Sequence, residues 1–197
     1  FSFAHFSLAH PLTEKYRNAN PIVMNIEKFT TKSQSIIAKA QFLATDKQHT
    51  QVESIHLLLA LHKEDQSMLP FVAQQGEIQM ERLRTALEAA YEGLPTSSSA
   101  AETYMGRDAA YVLQKAVQKA EGMKDDFVTT EHLLLALLED KGGAGKMLND
   151  AGFTTKLVES AIDSLRKGRH ANSSGAENTY NSLDKYAKNL NKMAEEG

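Results

Sequence analysis

The sequence predicts an all-α fold: two copies of one four-helix unit in a pseudo-twofold relation, with a further helix after them. Three observations carry that expectation. After residue 31, apolar residues recur at three- and four-residue steps through most of the chain. The chain aligns on itself at an offset of 76 positions. No stretch sustains the period-two alternation of a half-buried strand, so no sheet is predicted.

Residues 1–23 differ from the rest. Phe1-Ser2-Phe3-Ala4-His5-Phe6 is aromatic and short, and Pro11 and Pro21 bracket a polar stretch without helical period. A secretory signal needs a basic start and an unbroken apolar stretch. Here no basic residue comes first, and His5, Ser7 and His10 interrupt the apolar positions. The segment reads as a leader or added extension, expected to be mobile, with Met24 as a natural start.

The self-alignment superposes Ile36 on Val112, Ile37 on Leu113, Ala40 on Ala116 and Val52 on Val128. The run from His56 to Leu61 falls without a gap on the run from His132 to Leu137, both reading His-Leu-Leu-Leu-Ala-Leu. This is the mark of a duplicated helical unit in which each half buries its apolar face against the other.

Each unit reads as four helices. In the first, 31–46 carries Ile36, Ile37, Ala40, Leu43 and Ala44 at helical spacing. The 53–63 stretch is apolar nearly all round and is expected to be the most buried. The third, 66–75, ends at Gly76, which is expected to take a left-handed conformation. The fourth, 78–92, carries Leu83, Leu87 and Tyr91 and stops before Gly93-Leu94-Pro95. The second unit repeats the pattern at 107–121, 130–140, 144–151 and 154–167, punctuated by glycines. The units span about 28–93 and 105–168 of a domain covering 24–168. Pro95 to Ala101 forms a polar linker between them, and a second linker starts at Arg169 and is expected to be mobile to about 178. A last helical pattern at 177–196, with Leu183, Tyr186, Leu190 and Met193, offers a seam that lacks an obvious partner.

Composition and motifs exclude several classes. A formal charge of −3 gives no basic footprint for nucleic acid or a membrane surface. No apolar run is long enough to cross a bilayer. The absence of cysteine removes disulfides, thiolate metal sites and a cysteine nucleophile. Gly142-Gly143-Ala144-Gly145-Lys146-Met147 looks like a phosphate loop but has Asp140 where the first glycine belongs and Met147 where a hydroxyl is needed; it reads as a glycine-rich helix–helix turn. None of the seven histidines lies at helical metal-binding spacing to another. His56 and His132, at the repeated position just inside a helix start, are expected to satisfy a free backbone group there. No catalytic constellation is visible, so no enzyme activity is expected of this chain.

At this point the residues carry a resemblance. Phe29-Thr30-Thr31-Lys32-Ser33-Gln34, the repeated leucine runs and Phe127-Val128-Thr129-Thr130-Glu131-His132 together resemble the Clp N-terminal domain, a double four-helix repeat found ahead of ring-forming ATPases. Tyr180 to Leu190 resembles the segment that joins this domain to the first ATPase module in the disaggregase branch of that family. The resemblance implies a cytoplasmic chaperone, homohexameric at full length, that threads unfolded or aggregated polypeptides with the help of Hsp70-type partners. ATP and magnesium would be cofactors of the ATPase modules, expected beyond Gly197, and none is implied for this chain. The alternative within the family is the N-domain of a protease-linked unfoldase that docks adaptors. A stand-alone helical scaffold is a rival from another class, disfavoured by the open seam of the last helix.

The resemblance also implies substrate-binding residues. In that family a threonine ahead of the first helix and an acidic pair around the loop into the sixth are implicated, and these fall on Thr30, Asp125 and Glu131. The repeat shows their asymmetry: the positions 76 away hold Gly106, His49 and Ile55. Residues present in one half alone are freer to serve a ligand than core shared by both. The competing structural reading places Glu131 in a first helical turn, where a carboxylate favours the helix dipole, and Asp125 at a loop end. Lys115 and Lys119 limit how apolar a groove along their helix is, since lysine stems cover apolar surface while their heads stay wet.

Overall fold

The computed structural model describes residues 25–97 and 103–178. The leader, the middle of the first linker and nearly all of the last helical pattern lie outside the described residues. A 3-10 turn over Ile26–Lys28 leads into α1 (Thr31–Asp46), α2 (Ser54–Glu64), α3 (Met68–Gln75) and α4 (Met80–Glu92). The second unit follows as α5 (Arg107–Gly122), α6 (Thr130–Leu138), α7 (Gly143–Ala151) and α8 (Thr155–Arg166). All eight predicted helices of the two units are present, with ends shifted by one or two residues, the usual scatter at frayed turns.

The two units interlock rather than sit side by side. Within each, the first helix packs on the second and the second on the fourth. The third helix crosses over: α3 lies against α6 and α8 of the second unit, and α7 against α2 and α4 of the first. Each of these contacts has its pseudo-twofold mate, while α7 also packs on α6 of its own unit; the crossed third helices mean that the two units share one core. The central pair is α2 and α6, which touch each other and bury every residue from Ile55 to Leu61 and from Glu131 to Leu138. A helix apolar on all sides must be surrounded, and the crossed third helices supply the missing walls.

The expectation of no sheet is corrected by a short parallel pair, β1 (Gln51–Val52) with β2 (Tyr104–Met105), and by a parallel bridge from Phe29 to Val128. The pairings are mates under the repeat, since Phe29 aligns with Met105 and Val52 with Val128. The segment leading into each unit thus pairs with the connection between the first two helices of the other. Two residues per strand are too few to leave an alternating pattern in a sequence, yet they satisfy backbone groups in partly buried connections.

Gly76 is a second correction. It ends α3 with an ordinary φ of −93°, and Glu77 takes the positive φ instead. Gly152, its counterpart at the end of α7, does adopt the left-handed conformation, with φ 101°. At Gly76 a Cβ would come within 2.4 Å of Leu157 Cδ2, so closeness to α8, rather than backbone handedness, favours glycine there.

Candidate functional site

The start of each central helix is built the same way. His56 Nδ1 accepts the backbone N–H of Glu53 at 2.9 Å, and His132 Nδ1 accepts that of Thr129 at 2.9 Å. Each imidazole closes a capping box with the side chain of Glu53 or Thr129. The structural role expected of the repeated histidines is the one observed. Because Nδ1 accepts, the ring proton sits on Nε2 in both rings, and the two units part company over what Nε2 faces.

In the first unit His56 Nε2 meets His49 Nδ1 at 2.8 Å, and the two rings pack edge-on with each other and with Tyr91. Burial, then the neighbouring His49, pushes the His56 pKa down to about 4. In the second unit the residue aligned with His49 is Asp125, whose Oδ2 lies 3.0 Å from His132 Nε2. An aromatic cluster in one half is therefore an ionic cluster in the other.

Arg166, the last residue of α8, is the hub of that cluster. Its Nη1 pairs with Asp125, while its Nη2 reaches Glu131 Oε2 at 2.6 Å. Its Nε also donates to Glu131 Oε2, at 3.2 Å. Thr129 joins in, its hydroxyl donating to Glu131 Oε2 at 2.5 Å and accepting from Arg166 Nη2 at 3.3 Å. Burial opposes ionisation of Asp125, but hydrogen bonds from His132, Arg166 and the Ala171 amide outweigh it and hold the carboxyl far below the usual range.

Thr30 stands close by as the N-cap of α1. Its hydroxyl accepts from Ser33 N at 3.3 Å and its own amide donates to Val128 O at 3.0 Å. Gly106, in the same place before α5, has no room for a side chain: a Cβ would lie 2.7 Å from Val52 O. That contact is the physical reason the threonine occurs once.

Residues 169–178 were expected to be mobile, and the structure corrects this. After α8 the chain turns back as a strap across the N-terminal ends of α1 and α6. Ala171 N donates to Asp125 Oδ1 at 2.7 Å, and Ala171 O accepts from Phe127 N at 3.1 Å. Ser174 O accepts from Thr31 N at 2.9 Å. Glu177 Oε1 accepts from Thr130 N at 2.6 Å. Helix starts carry free amides and a positive dipole end, and the strap covers one at each with the Ser174 carbonyl and the Glu177 carboxylate, while its Ala171 carbonyl takes the Phe127 amide in the connection before α6. Ala171, Ala176 and Glu177 are buried as a result. Burial pushes the Glu177 carboxyl up, opposed by hydrogen bonds from Thr130 N and Thr30.

Residues 28–151 match the Clp repeat (R) N-terminal domain. The chain belongs to this family. It is 37% identical to the chaperone protein ClpB of Bacteroides thetaiotaomicron over 174 residues, covering 88% of this chain and 20% of that protein. The chain thus spans about a fifth of the length of the ClpB proteins it matches. Among solved structures it resembles the Hsp104 N-terminal domain of Candida albicans, with a TM-score of 0.68, 24% identity and coverage of 76% of this chain and 99% of that one. It also shares the fold of a ClpV N-domain in complex with a VipB peptide, with a TM-score of 0.56, 15% identity and coverage of 70% and 86%.

Within this Clp N-terminal domain the three residues singled out by resemblance come together at one end of the bundle, between the starts of α1 and α6. They are inside it: Thr30, Asp125 and Glu131 are 0%, 8% and 4% exposed. Their asymmetry in the repeat therefore has an internal use, which is to hold Arg166 and the strap. Arg166 and Glu177 were missed. Arg166 had left a signal, an arginine in line with the apolar stripe of Val158, Ala161 and Ile162 on α8. Glu177 had none: it stands at the start of the helical stretch that begins at Ala176, and nothing in the sequence ties it to the distant Thr130 amide.

The glycine-rich turn is explained by packing. Gly145 lies in the first turn of α7, where a Cβ would be 2.0 Å from Asp140 O and 2.9 Å from Leu137 O. Lys146 faces outward and pairs with Asp150 at 2.5 Å. Among the described residues no group of three or more His, Asp or Glu side chains is placed to hold a metal ion, and no helix is long and apolar enough to cross a membrane.

Proposed function

We propose that this domain receives unfolded or aggregated polypeptide for a larger ClpB-type disaggregase, a cytoplasmic homohexamer that spends ATP with magnesium to thread its cargo and works with an Hsp70-type system. Family membership and 37% identity to a ClpB chaperone over most of the chain support the reading. The ClpV N-domain that shares this fold is in complex with a VipB peptide, which supports polypeptide as the class of ligand.

The strap is the observation that carries the proposal to a site. A short stretch of chain, irregular up to Gly175 and helical from Ala176, lies across the starts of α1 and α6, held by Thr31 N, Phe127 N, Thr130 N and Asp125. Those groups do not depend on the sequence of what they bind, which suits a receptor for many chains. An incoming segment takes the place of the strap, and Thr30, Asp125 and Glu131 then line its seat. Binding is weak because the strap competes, and weak binding suits a receptor that must hand its cargo on.

Two variants test this in opposite directions. Ala171→Pro removes the N–H that holds the strap to Asp125 and is expected to tighten binding of a labelled, permanently unfolded polypeptide several-fold. Glu131→Gln, which leaves the Ala171–Asp125 hydrogen bond in place, is expected to weaken it. Fluorescence anisotropy reads both, with melting curves to confirm folding. Unchanged affinity in folded samples of both variants would refute the site.

A further inference from the structure

The pseudo-twofold axis that relates the units also relates the strap's seat to a second place on the molecule. Phe127, Thr31 and Thr130 hold the strap by their amides. Their repeat partners are Gln51, Arg107 and Ser54. Around these lies a groove of about 530 Å³, lined by Gln51, Glu53, Arg107, Tyr111 and Lys141 among others. That volume falls within the roughly 300–1,000 Å³ usual for ligand sites. One copy of the duplicated seat is filled by the chain itself, and no described segment fills the other.

The chemistry of the open copy differs in one respect. Where Glu177 covers Thr130 N, the matching amide of Ser54 is already taken by Asp108 Oδ2 at 2.9 Å. The other acids of the groove are engaged as well. Asp140 accepts from Ser54 Oγ at 2.8 Å and from Gly142 N at 3.0 Å, and Glu53 accepts from Gln51 Nε2 at 3.2 Å. The cations are not. Arg107 and Lys141 are exposed and have no ion pair among the described residues. The amide of Arg107, first in α5, has no acceptor among them either, whereas its mate Thr31 N holds Ser174 O. Tyr111 exposes part of its ring at the same edge.

We propose that this groove is a second polypeptide-binding seat, and that its occupant is a segment of another chain with an acidic side chain among small residues, as in the strap's own Ser173-Ser174-Gly175-Ala176-Glu177. A main-chain carbonyl of the segment accepts from Arg107 N, as Ser174 O does from Thr31 N. Its carboxylate lies between the Arg107 guanidinium and the Lys141 ammonium, which replace the backbone amide that Glu177 meets in the first seat. The small residues clear the crowded start of α2, and Tyr111 gives one wall. The proposal rests on the reading of the domain as a polypeptide receptor and adds a site and a preference to it.

The test is an NMR titration of the whole chain with a synthetic peptide of the strap sequence, His170 to Asn178, and with the same peptide carrying Glu177→Gln. Saturable shifts are expected at Arg107, Tyr111 and Lys141, weakened several-fold by the Gln peptide and about tenfold by Arg107→Ala with Lys141→Ala in the protein. The single charge reversal Lys141→Glu, at an exposed position, gives a second check should the double variant melt early. Shifts confined to Thr31, Phe127 and Thr130 would mean that the peptide merely exchanges with the strap, and would overturn the second seat, as would no shifts at all. A permanently unfolded polypeptide is titrated in parallel. If it binds without moving Arg107, Tyr111 and Lys141, the second seat is wrong and the receptor reading stands; if it does not bind, both fall.

Discussion

Arg166 is the residue whose loss should be felt most. Replacing it with Met keeps the stem's volume and removes the charge. Two carboxylates then remain inside the bundle, Asp125 and Glu131, both nearly inaccessible to water. Breaking a buried pair by removing one partner costs about 3–5 kcal/mol. Asp125 would keep His132 Nε2 at 3.0 Å and the Ala171 amide at 2.7 Å, and Glu131 would keep the Thr129 hydroxyl at 2.5 Å. Those contacts place the expected loss near the low end, about 3 kcal/mol in urea unfolding at pH 7. Adding Asp125→Asn and Glu131→Gln should recover most of it, because no buried charge then lacks a partner. The sign with pH follows. In the native protein the Asp125 carboxyl is held low, so its contribution is full above the unfolded value of about 3.9 and is lost as pH falls below that. In Arg166→Met the ionised acids are a burden, so the deficit should shrink on acidification. A loss below about 1 kcal/mol at pH 7, the range of an exposed pair, would refute the reasoning.

The first unit should show a different pH response. The His56 pKa falls to about 4 on folding, so its contribution is full above about 6.5 and is lost as pH drops from there towards 4, by up to about 3 kcal/mol; His56→Gln, which can still close the capping box, should flatten the urea midpoint across that window. Gly145→Ala should cost about 3 kcal/mol or more in chemical unfolding, since its Cβ would overlap the Asp140 carbonyl and push α7 off α6. Leu58→Ala and Leu134→Ala, each at the centre of the bundle, should each cost about 2–5 kcal/mol.

Much of the fold was legible because it is written twice. The leucine runs after His56 and His132 give helix type, burial and symmetry together, and the capping role of both imidazoles followed from their place one turn inside a helix start. What could not be read was set by contacts between distant segments. The two-residue β1–β2 pair is too short for a periodic pattern. Gly76 owes its presence to Leu157, across the interlock of α3 and α8. The composition of the strap, with Ser, Asn and Gly, predicts a mobile linker because it offers little to bury, yet its hold comes from main-chain carbonyls and one carboxylate meeting the amides of Thr31, Phe127 and Thr130. Thr30, Asp125 and Glu131 were reached by resemblance, and the repeat showed their asymmetry. Their burial could not be foreseen without Arg166, which sits 35 residues from Glu131 in the chain.

The hold of the strap on the starts of α1 and α6 is the centre of this account, and amide hydrogen exchange of the whole chain measures it directly. Thr31, Phe127, Thr130 and Ala171 each donate to the strap or to Asp125. The account predicts that all four exchange far more slowly than an open chain, that Ala171→Pro speeds exchange at Phe127 and Thr31 while the α2 and α6 interiors stay protected, and that an added unfolded polypeptide slows Thr31 and Phe127 again in that variant. Exchange at open-chain rates at Thr31, Phe127, Thr130 and Ala171 in the unaltered protein would contradict it.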